Sequence, residues 1–519
     1  MSTYEVEDYS VSNLGLLLDR YSHQAMGYSQ GKSHLSYLDD YLSFLGATAI
    51  LVEHPYTDRD YLEDYVAYYA RCHASYERRC ARLHFFSSKL GQDVIAKVIA
   101  SDDAAIQLLK SSYLGFIVVR PLPSTVIGRS CLVTYGNKVR ERAFPPARIY
   151  KVHILGIELS VSSLPFQEQD TDVAACATSA LWSVFNATGH LFQHSIPSPA
   201  EITKAAAASQ RAVSRTLPAL NGLSAEQIAD AIRSVGLEPL YIGVTNLDLL
   251  LVSASAYLRA RIPPLLLGAI IEAIPSTTAR EVGLHAIALA GFSVPKGPPR
   301  PYIGTNGTLF SAGSIIRLYA HDDQVGPFSR IVVDPAASRP LLTSWPDQNG
   351  IRGHTFFDPK ILLVPLYHKI RVPVASVIST IVSLDEWLEP ARLAKIIPLA
   401  ERLEWDLALI EIADLKAEVH GDRTIIEGFR MSALRDDMPR YIWRVGASSG
   451  ASKQFTLLVD ATDLLQGGHV AGVLPYSRDT CLAVAALAKN PAVSNYIKST
   501  GNRALEMIVK WFADHTASI

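Results

Sequence analysis

The sequence predicts an α+β protein of several domains, on three observations. The chain has 519 residues, room for about three domains at roughly 150 residues each. Hydrophobic residues make up 49% and charged residues 19%, a globular composition able to fill large cores. Helical periodicity and short apolar, β-branched runs bounded by Gly or Pro recur along its whole length. Shifts in texture divide it into residues 1–160, 161–345 and 346–519, the outer two being mixed α/β domains.

Composition also sets limits. The formal net charge is −2 and there is no Lys/Arg-rich run, so neither nucleic acid nor an anionic membrane is an expected partner. No apolar stretch reaches the roughly 18 residues of a membrane span. The start, "MSTYEVEDYS", is acidic and polar, unlike a secretory signal. Five cysteines (Cys72, Cys80, Cys131, Cys176, Cys481) are few, scattered and odd in number. The expectation is free thiols in a reducing, cytoplasmic setting.

The elements follow in order. Residues 1 to about 35 read as irregular or partly helical. Ala47–Glu53 reads as a buried strand, Asp60–Leu83 as a helix from its three- and four-residue spacing, and Tyr113–Pro123 as a strand stopped by prolines. Val173–Thr188 reads as a helix, capped by Asp172 and ended by Gly189. Ser224–Gly236 opens with a capping-box pattern, Ser224 and Gln227, and leads into the strand "LEPLYIG". Pro263–Ile271, Leu284–Val294 and Ile315–Asp323 read as further strands. The Pro/Gly-rich residues 295–308 read as a long loop. Beyond 365, "VPVASVISTIVSLDEWLEPARL" mixes β-branched and helical signals. "YIWRVG" and "KQFTLLVDATD" look like paired strands, and "NRALEMIVKWFADH" reads as a closing helix.

One constellation carries chemistry. A free thiol ionises near pH ~8.5, and a helix N-terminus or a neighbouring imidazole favours the thiolate. Cys176 falls in the first turn of its helix. His285 opens a predicted strand after a Gly, and Asp322 ends the next one. If these strands are antiparallel neighbours, the start of one lies beside the end of the other, and Asp322 can fix the imidazole's tautomer. Strand alternation puts Leu318, Ala320 and Asp322 on one face and Tyr319, His321 and Asp323 on the other. A one-residue error in phase transfers the role to Asp323, with Asp334 as a further fallback. The Cys176 amide and a side-chain amide from Gln169 or Gln167 are candidate oxyanion donors.

The order Gln, Cys at a helix start, His, then Asp resembles that of papain-like cysteine peptidases. "QDTDVAACATSAL", "LSAEQIADAIRSVGLEPLYI", "IPPLLLG", "GLHAIALAGF" and "LYAHDD" are similar to the segments of double-glycine leader peptidase domains. The likeness covers roughly residues 165–335. The usual Gly after the cysteine is Ala177 here, the usual Asp-Pro is Asp322-Asp323, and the family's Gln–Cys spacing is tighter than the seven positions from Gln169. The resemblance implies a central papain-like domain in which the cysteine helix packs on an antiparallel sheet carrying His and Asp. It implies cleavage of a peptide or amide bond through an acyl-enzyme, with Cys176, His285, Asp322 and Gln169 as catalytic residues. Neither metal nor organic cofactor is implied. The partners would be a peptide or protein substrate and, through the outer domains, a regulatory protein. Transfer to an acceptor other than water, as in transglutaminases, and an inactive papain-like binding module are the rival expectations.

Each residue also has a plainer reading. Cys176 alone is a packed thiol, His285 a core histidine, Asp322 a turn residue and both glutamines loop residues. Cys72, His73, Cys80 and His84 lack a second ligand pair for a zinc site, "HDDQ" lacks calcium-loop spacing, and residues 295–308 lack the Lys-Ser/Thr ending of a phosphate cradle.

Overall fold

The computed structural model describes residues 4–136, 141–170, 175–207, 222–295, 299–464 and 470–516. It is a mixed α+β protein, 37% helical and 31% strand, with several sheets. No described helix is long and apolar enough to cross a membrane.

Two compact units divide the chain and interleave along it. One comprises Met1–Gly243, Arg261–Ser293 and Arg317–Pro365, the other Val244–Ala260, Val294–Ile316 and Leu366–Ile519. Boundaries at 160/161 and 345/346 are therefore not those of the units. The physical reason lies in a shared core: Leu14, Leu35 and Tyr41 near the N-terminus pack with Leu164, Tyr319 and Phe328 from the middle of the chain.

The first unit begins with a five-stranded antiparallel meander, Tyr4–Asp8, Ala49–Tyr56, Cys80–Phe86, Tyr113–Val119 and Ile127–Leu132. Alternate residues serve two cores. Ile50 and Val52 pack with the helices Val11–Ser22 and Ser33–Leu45, while Ala49 and Leu51 pack with Ile95 and Leu109 from the opposite layer. Every residue of Cys80–Phe86 is buried. This corrects the helix expected over Asp60–Leu83. The helix is Arg59–Ala67, and the chain re-enters the sheet at Cys80 because both faces of that strand are covered.

The second sheet positions the site. Leu265–Glu272 pairs with Arg280–Val294, which pairs with Arg317–Asp322, followed by Gly326–Val333, Leu341–Leu342 and Thr355–Tyr367. Thr355–Tyr367 pairs back onto Leu265–Glu272, so these six strands close into a ring. The helix Cys176–Phe192 lies on it, with Ala177, Leu181 and Phe185 against Leu265, Ala286 and Ala288. Asp172 lies outside the described residues; the cap position is Ala175, with no side-chain cap bond. Gly189 does not end the helix, which runs to Phe192 and stops at Gln193 in a left-handed conformation (φ 59°). Its glycine serves close packing, since a Cβ there would meet Ile196 at 2.7 Å. Ser224 and Gln227 form both bonds of the capping box.

In the second unit, Leu309–Phe310, Leu403–Glu411, Tyr441–Ser449, Ser452–Asp460 and Val470–Pro475 form a sheet. The expected pairing of "YIWRVG" with "KQFTLLVDATD" is antiparallel. "VPVASV…" becomes one long helix, Val374–Leu393, whose β-branched residues are largely buried. The indole of Trp405 donates to Asp385 and that of Trp443 to the Val372 carbonyl, each at 2.9 Å.

Candidate active site

Cys176 is the first residue of its helix, nearer the helix start than its expected place in the first turn. Four backbone N–H groups at such a start have no intrahelical partner and favour an anion. The thiol is half-buried, and it hydrogen-bonds the His285 ring.

His285 lies inside the strand Arg280–Val294 rather than opening it, opposite Gly268 of the neighbouring strand. A Cβ at position 268 would stand 2.2 Å from the Asp358 carbonyl, so only glycine lets the three strands meet there. The His285 strand and the Arg317–Asp322 strand run antiparallel, with Ala288 opposite His321, which brings the ring to the far end of the aspartate strand. The separation from His285 Nε2 to Asp322 Oδ1 is 3.0 Å. Nδ1 is then the nitrogen left for the sulfur.

Simple alternation does not choose between the two aspartates. The register shifts between Ala320 and Asp322, and Asp323 Oδ1 lies 3.7 Å from the same Nε2. The pair is differentiated by its other bonds. Asp322 accepts from the Trp345 indole at 2.6 Å and from the Gln324 backbone N–H at 3.1 Å. Asp323 accepts from the Gln324 side chain at 2.8 Å, and its Oδ1 has no hydrogen-bond donor among the described residues. Trp345 also sets its ring edge-on to His285, with centroids 5.0 Å apart. Asp334 is exposed and binds the Ala336 N–H within its own turn, away from these groups.

Titration follows from this packing. Burial alone would lower the His285 value, but the Asp322 charge and hydrogen bond push it well above the usual histidine range. Burial would raise Asp322, yet His285 and the donors from Trp345 and Gln324 hold it below the usual carboxylate value. Asp323 is pushed up to about 6 by burial, with the Asp322 charge adding to it and His285 opposing.

The two candidate glutamines differ in burial. Gln169 is half-buried, whereas Gln167 is buried and its amide nitrogen has no partner among the described residues. An orphaned buried donor calls for an acceptor, which makes Gln167 the better oxyanion candidate. Its loop is fixed through the next residue, as Glu168 accepts from Lys32 at 2.8 Å and from the Ile127 N–H at 3.1 Å.

Sequence reasoning missed two residues. Trp345 is one. The other is His34, from the helix Ser33–Leu45, whose buried ring donates to the Asp323 carbonyl at 2.6 Å and lies 3.9 Å from Glu168. Neither has a local pattern that marks it.

Among the described residues, His285, Asp322 and Asp323 also form a group whose ligand atoms lie within 4.8 Å of one another, close enough to hold a metal ion. A metal there would need the neutral imidazole, so it would compete with the proton for His285. Cys72, Cys80 and His84 do not join such a group. Cys80 and His84 are buried in a strand, and His84 bonds Tyr113 at 3.0 Å.

No family model matches the chain, and no curated protein matches it.

Proposed function

We propose that the chain is an acyl-transfer enzyme with a cysteine nucleophile. Within that class it is a papain-like cysteine peptidase or amidase. The observation that carries this reading is the His285 ring held between a buried carboxylate at 3.0 Å and a half-buried thiol at a helix start. A carboxylate–imidazole–thiol relay of this kind forms a thiolate and an imidazolium, the latter stabilised by Asp322.

Attack of the sulfur on a carbonyl carbon forms the C–S bond and moves the π electrons onto oxygen. The Cys176 amide and the Gln167 side chain are the donors for that oxyanion. His285 then gives its proton to the leaving nitrogen, and the C–N bond breaks. Water, deprotonated by the same ring, releases the acyl group and restores the thiol. The free cysteines fit work in a reducing compartment such as the cytoplasm.

Iodoacetamide labelling of the full chain tests the pair. Cys176 is expected to label at neutral pH faster than any other cysteine, with the rate lost in His285→Ala and unchanged by a metal chelator. Wild type is expected to cleave members of a mixed peptide library that Cys176→Ala leaves intact. Equal labelling in His285→Ala, loss of the rate on chelation, or cleavage by Cys176→Ala would overturn the proposal.

A further inference from the structure

A cleft of about 280 Å³ lies between the helix Ser33–Leu45 and the strand Gly326–Val333, lined by Tyr37, Asp40, Phe44, Tyr135, Arg330 and Arg352 among others. It is small for a whole organic ligand, which occupies roughly 300–1,000 Å³, and suits a single side chain. Two guanidiniums share its aromatic wall. Arg330 lies 4.4 Å over the Tyr135 ring and 5.7 Å from that of Phe44, and Arg142 lies 5.5 Å and 5.7 Å from the same two rings. Asp40 is the one carboxylate among the lining residues, and it is paired with Arg352 at 2.7 Å. Among the described residues Arg330 has no carboxylate partner. Phe44 is 52% exposed at the rim, an aromatic left in water beside the Arg330 guanidinium. A guanidinium stacked on a ring keeps its in-plane N–H donors available, the geometry that binds an oxyanion.

The cleft is joined to the catalytic groups by two elements. Ser344 lines it, and the next residue, Trp345, donates to Asp322. His34, Tyr37, Tyr41 and Phe44 recur at three- and four-residue steps, so one helix face runs from the Asp323 carbonyl into the cleft. From His34 to Phe44 that face spans about 15 Å.

We propose that this cleft is a substrate-recognition subsite that takes a carboxylate side chain of the peptide. Its occupant rests on the peptidase reading; its charge does not. The experiment uses full-length Cys176→Ala and two peptide pools identical except for one fixed position, glutamate in one and glutamine in the other. The glutamate pool is expected to bind about tenfold tighter, the effect of one charge-assisted hydrogen bond. Arg330→Met, which keeps an apolar stem over the rings, is expected to abolish the preference, as is Arg352→Met at the exposed wall. Asp40→Asn releases Arg352 and is expected to strengthen it. Thermal melting of each variant identifies those that fold. Equal binding of the two pools, or a preference unchanged in the folded arginine variants, overturns the subsite. Glutamate preference with no turnover by wild type would overturn the peptidase reading and leave the subsite standing; turnover without preference would do the reverse.

Discussion

Replacing Asp322 by Asn tests how the site divides its negative charge. At an effective dielectric near 20, a unit charge 3.0 Å from the imidazolium contributes about 5.5 kcal/mol and one at 3.7 Å about 4.5 kcal/mol. The second carboxylate is therefore nearly as strong a counter-ion as the first. Removing Asp322 also removes the like charge that helps to hold Asp323 up at about 6, so Asp323 ionises over a wider range and takes over. Asp322→Asn is expected to slow iodoacetamide labelling of Cys176 by only about tenfold at neutral pH, roughly 1.4 kcal/mol. In Asp322→Asn/Asp323→Asn, no carboxylate among the described residues faces the buried ring, and burial pushes it neutral. The double variant is expected to lose at least about tenfold beyond the two singles combined, since groups sharing a partner are not additive. The assay is the labelling rate from pH 5 to 9 on full-length variants, with melting curves to show that each folds. A double variant no slower than Asp322→Asn would refute the sharing, and one as fast as wild type would refute activation by the pair.

Three further outcomes are expected. Gln167→Ala should slow cleavage about 10²–10³-fold, as for loss of one oxyanion donor, while leaving iodoacetamide labelling intact; the same loss in Gln169→Ala but not Gln167→Ala would reverse the assignment. Asp323 holds a proton in the fold below about 6, whereas an unfolded carboxyl gives it up near ~3.9, so stability falls as pH rises between these values. His285 acts with the same sign, its contribution being complete below about 6.5 and lost as pH passes its raised folded value. Asp323→Asn should flatten the slope between pH 4 and 6 in urea unfolding, and an unchanged slope would refute the titration. Gly268→Ala drives a methyl to 2.2 Å from the Asp358 carbonyl and should destabilise the fold by about 1–3 kcal/mol, seen as a lower melting temperature.

Local chemistry was the legible part of this sequence. Ser224 and Gln227 announce a helix start because the capping bonds span only three residues. The strands around "YIWRVG" and "KQFTLLVDATD" announce themselves because a short turn joins them. The His285 and Asp322 side chains meet because two adjacent strands place them, and strand adjacency is readable; Cys176 comes from the start of the helix packed on that sheet. What failed depended on distant cover. Cys80–Phe86 passes for helix because a strand buried on both faces has no alternation to read. The register shift after Ala320 leaves strand alternation unable to separate Asp322 from Asp323, though the favoured Asp322 is the one that bonds His285. Gln167 and Gln169 differ only in which way a loop turns. Trp345 and His34 enter the site from segments whose sequence holds no chemical pattern, so only the folded chain reveals them.

His34 and Trp345 stand at opposite ends of a long stretch of chain, and both bond the same acidic turn. On the ribosome, the thiol at position 176 emerges well before the ring and carboxylates that accompany it. The relay proposed for that thiol therefore requires translation to have passed Trp345. A product terminated earlier holds the thiol without the indole that bonds the acidic turn.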